Sequence, residues 1–333
     1  MEMIEFQEKI KKALQEYGGS EMTVRISKVR KNNGHILTGV SMYKPGSNIT
    51  PTLYIDDYLK RYEEGITFGE IMKDIIYMLE NYAIDREMDI SFFTEWDRAK
   101  RRIVYRLINA EKNEELLKEV PYIPFMDLAI VFYYLMGDKS MGNASIMIHK
   151  KHLAVWEVEE KSLYDVAVKN THKMLPYAIQ NISQLMRDVL FENIGKQMGE
   201  KGCTDKECVE EITDRMMEQL SPIHQQVNMY VLSNNSRYYG AACILYKDLL
   251  RKFAESHDAD IYILPSSVHE MILLPDRGGE DPVKLAEMVR DVNDTQLSPE
   301  EVLSDSVYYY DRKSGEIRML QSEQKAADAA VTA

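Results

Sequence analysis

The sequence predicts an α+β fold: a mixed sheet with packed helices, a small amino-terminal helix and hairpin module, and a helical insertion. Three observations predict it. In residues 1–81 a 3.6-residue apolar period and a two-residue one follow each other closely, so helices and a hairpin share one short stretch. Further on, apolar runs of strand length at 103–108, 128–135 and 261–264 alternate with helical segments. From about 178 to 222 the period is helical and the intervening glycines break it once. The expected organisation is a small α+β module over residues 1–90, a larger α+β domain over 91–320 with the insertion at about 178–222, and a disordered tail over 321–333.

Taken in order, Phe6, Ile10, Ala13, Leu14 and Tyr17 share one helical face and Gly18-Gly19 stops the helix. Met22, Val24 and Ile26 alternate with polar residues, and Asn32-Asn33-Gly34 separates them from 36–42, the spacing of a β-hairpin. Tyr54, Tyr58 and Tyr62 recur at helical spacing before Gly65, and Thr67 with Glu70 forms a capping-box pattern flanked by Ile66 and Ile71 as a hydrophobic staple. The charged stretch 85–97 connects this module to the remainder. There, 103–108 reads as strand, 111–117 as helix and 128–135 as buried strand, a β-α-β order. Met147 and Ile148 close another strand, and Leu163, Val166 and Ala167 mark a helix. Ile179, Ile182, Leu185, Met186 and Val189 mark the first helix of the insertion and Val209, Ile212 and Met216 the second. Gly195, Gly199 and Gly202 fall to the connection, and Thr204 with Glu207 gives a second capping box. Beyond the insertion, 227–232 and 241–245 resemble strands, while Leu249, Leu250, Phe253 and Ala254 line a helix. Asp281-Pro282 starts a helix carrying Leu285, Met288, Val289 and Val292 inward, and Ser298-Pro299-Glu300-Glu301 starts a shorter one. A hairpin over 307–310 and 317–320 turns at Lys313-Ser314-Gly315.

Composition excludes several function classes. A net charge of −13 over 333 residues argues against nucleic-acid binding, which draws on many Lys and Arg contacts with phosphates. The patch Arg98, Lys100, Arg101 and Arg102 reads as a solvated face. No apolar run approaches the roughly 20 residues that span a bilayer, and Met1-Glu2-Met3-Ile4-Glu5 lacks the positive start of an export signal, so no membrane partner and a soluble, cytoplasmic protein are expected. Three cysteines without zinc spacing fit a reducing compartment, and neither a metal nor a cofactor is expected. There is no G-x-x-x-x-G-K-[ST] loop and no G-x-G-x-x-G after a strand.

Candidate chemistry centres on 262–275, where Ser266, Ser267, His269 and Glu270 interrupt a strand-like apolar run. On a strand, Ser267 and His269 would share a face as nucleophile and base, with Glu270 on the opposite one. The competing reading makes Ser267 and Glu270 a capping box at a short helical turn. Leu273 stands where a zinc-peptidase helix needs its second histidine, and His149 and His152 sit in a stretch that looks extended. Glu159 and Lys161, with Asp138 upstream, fit the first turn of a helix better than a nuclease core. Asn109, Asn234 and Asn293 each follow an apolar stretch and are candidate ligand-binding groups, as is Asp127; Asp127 and Asp305 are candidate acids. Every catalytic constellation lacks a member, so the expectation is a noncatalytic intracellular binding or regulatory module for an unknown protein or small polar ligand. The alternatives are a metal-independent hydrolase using Ser266 or Ser267 with His269, and an assembly partner using the faces around Tyr54, Tyr58 and Tyr62.

A distributed set of motifs carries a resemblance. It comprises Asn32-Asn33-Gly34, Asn48-Ile49-Thr50-Pro51-Thr52, Leu107-Ile108-Asn109, Val120-Pro121 with Asp127-Leu128-Ala129, Asn170-Thr171 and Tyr230-Val231-Leu232-Ser233-Asn234. It continues with Gly240-Ala241-Ala242, Leu264-Pro265-Ser266-Ser267-Val268-His269-Glu270, Val292-Asn293 and Leu303-Ser304-Asp305. Over most of its length the chain resembles domain-of-unknown-function family 5688, an uncharacterised family of gut Clostridia. The resemblance implies an intracellular bacterial protein and brings no catalytic residues with it.

Overall fold

Phe6, Ile10 and Leu14 recur every three to four residues and draw Met3–Gly18 into α1 of the computed structural model, which describes residues 2–46, 50–81, 91–136, 145–200, 206–224 and 228–320. The chain divides into two compact units between Arg98 and Ala99. In the first, β1 (Thr23–Arg30) and β2 (Ile36–Tyr43) form an antiparallel hairpin whose turn uses left-handed Asn33 and Gly34, and β3 (Leu53–Tyr54) adds to β2. α2 (Asp56–Glu63) and α3 (Phe68–Asn81) follow. Thr67 and Glu70 make both bonds of the capping box, Thr67 N–H to the Glu70 carboxylate at 3.2 Å and Glu70 N–H to Thr67 Oγ1 at 3.3 Å. One core holds Phe6, Ile10 and Leu14 of α1, Val24 and Val40 of the hairpin, and Ile71 and Ile75 of α3; Tyr58 and Tyr62 pack partly buried against it. Short α4 (Ser91–Thr94) and α5 (Trp96–Ala99) lead to the division.

The second unit builds two antiparallel sheets. The smaller consists of β4 (Ile103–Asn109), β5 (Tyr122–Phe125), β6 (Leu128–Leu135) and β7 (Ser145–Met147), with β6 pairing all three others and the short α6 (Glu114–Leu117) between β4 and β5. After α7 (Lys150–Trp156), α8 (Glu160–Met174) packs on β4, where Asn170 Nδ2 donates to the carbonyls of Lys100 and Ile103 at 2.8 and 2.9 Å. The larger sheet takes β8 (Tyr177–Asn181) and, beyond the packed helices α9 (Ile182–Glu200) and α10 (Lys206–His224), β9 (Tyr230–Asn234). A 3₁₀ segment, Gly240–Leu245, and α11 (Leu249–His257) lead to β10 (Ile261–Ser267) and β11 (Glu270–Pro275). Then come α12 (Pro282–Gln296), β12 (Val307–Asp311) and β13 (Glu316–Leu320), giving the strand order β13-β12-β10-β11-β9-β8.

The class is α+β, with every strand pairing antiparallel. The expected β-α-β over 103–135 is instead β4 paired antiparallel to β6, because α6 is too short to carry the chain across as a parallel crossover requires. Ile179 lies in a strand rather than a helix. Asn181 Oδ1 accepts the Ser183 N–H at 2.9 Å, a cap that starts α9 later. Gly195 and Gly199 lie inside α9, not in a connection. Residues 241–245, expected as a strand, wind into the 3₁₀ segment. Gly-Ala-Ala is small enough to lie buried against β4 of one sheet and β9 and β11 of the other. Ser298–Glu301 is only a turn, closed by Ser298 Oγ donating to the Glu301 carboxylate at 2.8 Å. The tail 321–333, Asp138, Gly202, Thr204 and residues 85–90 of the stretch 85–97 lie outside the described residues. No helix among those described is long and apolar enough to cross a membrane.

Candidate functional site

The Ser-Ser-Val-His-Glu run turns a hairpin rather than a helix. Ser267 pairs with Glu270 across Val268-His269, and the register shifts between Pro265 and Ser267, where proline has no N–H to give the ladder. Ser267 Oγ accepts the His269 N–H at 3.0 Å, and Ser266 Oγ donates to Glu270 Oε1 at 3.3 Å. The capping-box reading is corrected in this way: Ser267 does cap a turn, but its partner is His269 and the turn joins two strands. Among the described residues neither serine hydroxyl bonds to the imidazole. His269 Nδ1 accepts the backbone N–H of Tyr239 at 3.0 Å, which fixes the neutral ring as its Nε2–H tautomer. Nε2 faces Glu301 Oε1 at 3.7 Å. Burial lowers the pKa of this histidine and Arg106 acts in the same sense, while Glu301 and Glu270 oppose them.

β9, the segment following it and the turn after α12 clamp the hairpin turn. Ser233 Oγ donates to the His269 carbonyl at 2.8 Å, Val268 N–H to the Glu301 carbonyl at 2.8 Å, and Ala241 N–H to the Val268 carbonyl at 3.4 Å. Asn234 organises the loop: Oδ1 accepts from Ser236 N–H at 3.0 Å, and Nδ2 donates to the Tyr238 carbonyl at 2.9 Å. The loop then runs through Arg237 and Tyr239, both left-handed at φ 51° and 54°, a conformation that costs a side-chain-bearing residue about 1–2 kcal/mol. Gly240 is obligatory here for space: a Cβ would stand 2.2 Å from Ser233 Oγ and 2.7 Å from the His269 carbonyl oxygen. The result is a half-buried aromatic cluster, with the Tyr238 and Tyr239 rings 5.5 and 5.3 Å from the imidazole.

Beneath it lies Arg106, which the sequence reading overlooked. It sits in β4 between Val104 and Ile108 on one strand face, and cross-strand pairing of Val104 with Tyr133 brings that ring diagonally over the guanidinium. Arg106 is 5% exposed. Its Cζ lies 3.5 Å from the Tyr133 centroid, 3.8 Å from Tyr239 and 5.3 Å from Tyr238. Tyr133 and Tyr239 are 6.2 Å apart and near-parallel at 29°, so the guanidinium lies between them. One terminal nitrogen donates to Ser145 Oγ at 2.5 Å, and among the described residues no carboxylate pairs with the charge. The one available signal was a charge in the otherwise uncharged strand 103–109.

The other candidates part company. Asn109, Asp127 and Asn293 converge on the segment entering β12: Asn109 Nδ2 donates to the Leu303 carbonyl at 3.0 Å and Asn293 Nδ2 to the Ser304 carbonyl at 3.0 Å and Asp305 Oδ1 at 2.7 Å. Asp127 accepts from Ser304 Oγ at 2.5 Å and Tyr308 Oη at 2.7 Å. These groups tie the smaller sheet to the larger one, whereas Asn234 belongs to the aromatic cluster. His149 and His152 bracket the start of α7, with His152 Nδ1 accepting the His149 N–H at 2.9 Å. Glu159 and Glu160 stand at the first turn of α8. No group of three or more metal-ligating side chains occurs among the described residues.

A family model described as a family of unknown function (DUF5688) matches residues 3–312. No curated protein and no solved structure matches the chain.

Proposed function

The chain belongs to the family of unknown function DUF5688, a membership that assigns no activity, and from its own geometry we propose a noncatalytic, intracellular binding module that recognises its ligand or partner at the aromatic cluster of Tyr238, Tyr239 and His269. One observation carries this reading. The imidazole and both serine hydroxyls are each held in bonds that build the hairpin and its clamp, so among the described residues neither Ser266 nor Ser267 pairs with the His269 imidazole to pass it a proton. The same bonds hold three rings half-exposed on a rigid, strained loop. Rigid aromatic surfaces bind with little ordering cost, which suits recognition. The hydrolase reading would require His269 to release the Tyr239 N–H and turn toward Ser267.

The test pairs two assays on the full chain. Hydrolysis of p-nitrophenyl acetate and butyrate is expected to stay at the buffer rate for the wild type and for Ser267→Ala. A thermal-shift screen of small polar and aromatic compounds is expected to yield stabilising ligands whose effect Tyr239→Ala removes. Ester turnover that Ser267→Ala and His269→Ala both abolish would overturn the binding-module reading in favour of the hydrolase.

A further inference from the structure

We infer that the edge of the Arg106 guanidinium receives a carboxylate from the ligand, so that the molecule taken up beside Tyr238, Tyr239 and His269 is a monocarboxylic acid with an apolar or aromatic body. The inference rests on the binding-module reading above and deepens it.

The argument begins with the cost of burying a cation. A guanidinium that is 5% exposed has given up nearly all of its hydration, and such a charge is retained where paired or hydrogen-bonded. Tyr133 and Tyr239 occupy its two faces in a cation–π arrangement, which strengthens when desolvated. They leave its rim. Of the five N–H groups there, one meets the Ser145 hydroxyl at 2.5 Å, and no carboxylate among the described residues takes the others. With both faces covered, a partner must approach in the guanidinium plane, and a carboxylate accepts two parallel N–H bonds in that plane.

Surrounding charges select among anions. Glu301 and Glu270 both act on His269, whose ring stands 5.3 Å from Tyr239 and close enough for Arg106 to act on it. These acids disfavour a second negative charge beside the imidazole, so a singly charged carboxylate suits the site better than a phosphate dianion. The walls are aromatic, which sets the body of the ligand. Tyr238, farthest from the guanidinium at 5.3 Å and half-buried, is the third aromatic wall beside it.

The experiment is isothermal titration of the full chain at neutral pH with sodium benzoate, its neutral isostere benzamide, and inorganic phosphate. Benzoate is expected to bind saturably, at least tenfold more tightly than either comparison compound. Arg106→Met is expected to weaken benzoate at least tenfold, and Arg106→Lys, which keeps the charge but loses the planar fork, by an intermediate factor. Replacing a buried arginine by methionine is commonly tolerated, but the benzoate–benzamide comparison on the wild type stands without any variant. Benzamide binding as well as benzoate overturns the carboxylate inference and leaves the binding module standing. Phosphate binding more tightly than benzoate, or no saturable benzoate binding, overturns it too. Serine-dependent ester turnover instead overturns the underlying reading, so the two failures are distinct.

Discussion

Truncating Asp127 to alanine is expected to loosen the junction between the two sheets of the second unit. Its carboxylate accepts from Tyr308 Oη at 2.7 Å and from Ser304 Oγ at 2.5 Å, and those donors are 0% and 1% exposed. A hydrogen bond to a charged group is worth about 1.5–3 kcal/mol, and a stranded buried hydroxyl costs about 1–3 kcal/mol. Asp127 is itself half-buried, which recovers part of its hydration on release, so the lower figures apply and Asp127→Ala should cost about 3 kcal/mol. Tyr308→Phe removes one bond and leaves the carboxylate its second donor, for about 1.5 kcal/mol. In the double variant the stranded phenol is absent, so the loss should fall short of additivity by about 1–1.5 kcal/mol. The chain's two tryptophans make the assay specific, since Trp96 lies in the first unit and Trp156 in the second. Urea unfolding followed by Trp156 fluorescence in a Trp96→Phe background would give all four corners of the cycle. Losses that add within about 0.5 kcal/mol would refute the reasoning, because the carboxylate and phenol would then not be acting on each other.

Gly240→Ala should destabilise by about 1–3 kcal/mol or prevent folding, since its Cβ would stand 2.6 Å from the Asn234 nitrogen and 2.2 Å from Ser233 Oγ; a thermal midpoint equal to wild type would contradict the packing described. Cys243 is 1% exposed and burial pushes its thiol up to about 12, so a thiol reagent at mildly alkaline pH should leave it unmodified in the native protein and label it after unfolding. Acidification should also destabilise. Burial lowers the pKa of His269, His149, His152 and His172 below the ordinary value of 6.5, so each unfolded imidazole takes up its proton at higher pH than the folded one. The stabilisation is therefore full above about pH 6.5 and is lost as pH falls through the folded values. For His269 the charges in play are Glu301, Glu270 and Arg106, and protonation at Nδ1 also breaks the Tyr239 bond. Urea midpoints that rise between about pH 7 and pH 5.5, or a fall that His269→Gln leaves unchanged, would count against this account.

Much of the local architecture is legible without a structure. The face formed by Phe6, Ile10 and Leu14, the Thr67–Glu70 capping box, the Asn33-Gly34 turn and the hairpin ending at Leu320 all rest on interactions spanning only a few residues. The α+β class follows from the sum of such signals. The misreadings share a cause. Ile179 joined a helix because the cap at Asn181 competes with an apolar period running through it, and 241–245 looked like strand because Gly-Ala-Ala says nothing locally about the two sheets that enclose it.

The candidate site divides along the same line. The run 266–270 marks itself by placing polar groups within an apolar stretch, yet whether Ser267 would meet an imidazole, a helix or a strand depends on where proline and the bulge set the register. Sequence alone determined the helices, hairpins and charge balance, because periodicity, capping and turn chemistry act between near neighbours. Only the tertiary structure decided that Asn109 would reach Leu303 across 194 residues, that Tyr239 would hold His269 across 30, and that Tyr133 and Tyr239 would close over Arg106. Those contacts arise from the packing of two sheets on one buried 3₁₀ segment. No residue's chemical identity specifies its partner at that separation until the chain is closed around it.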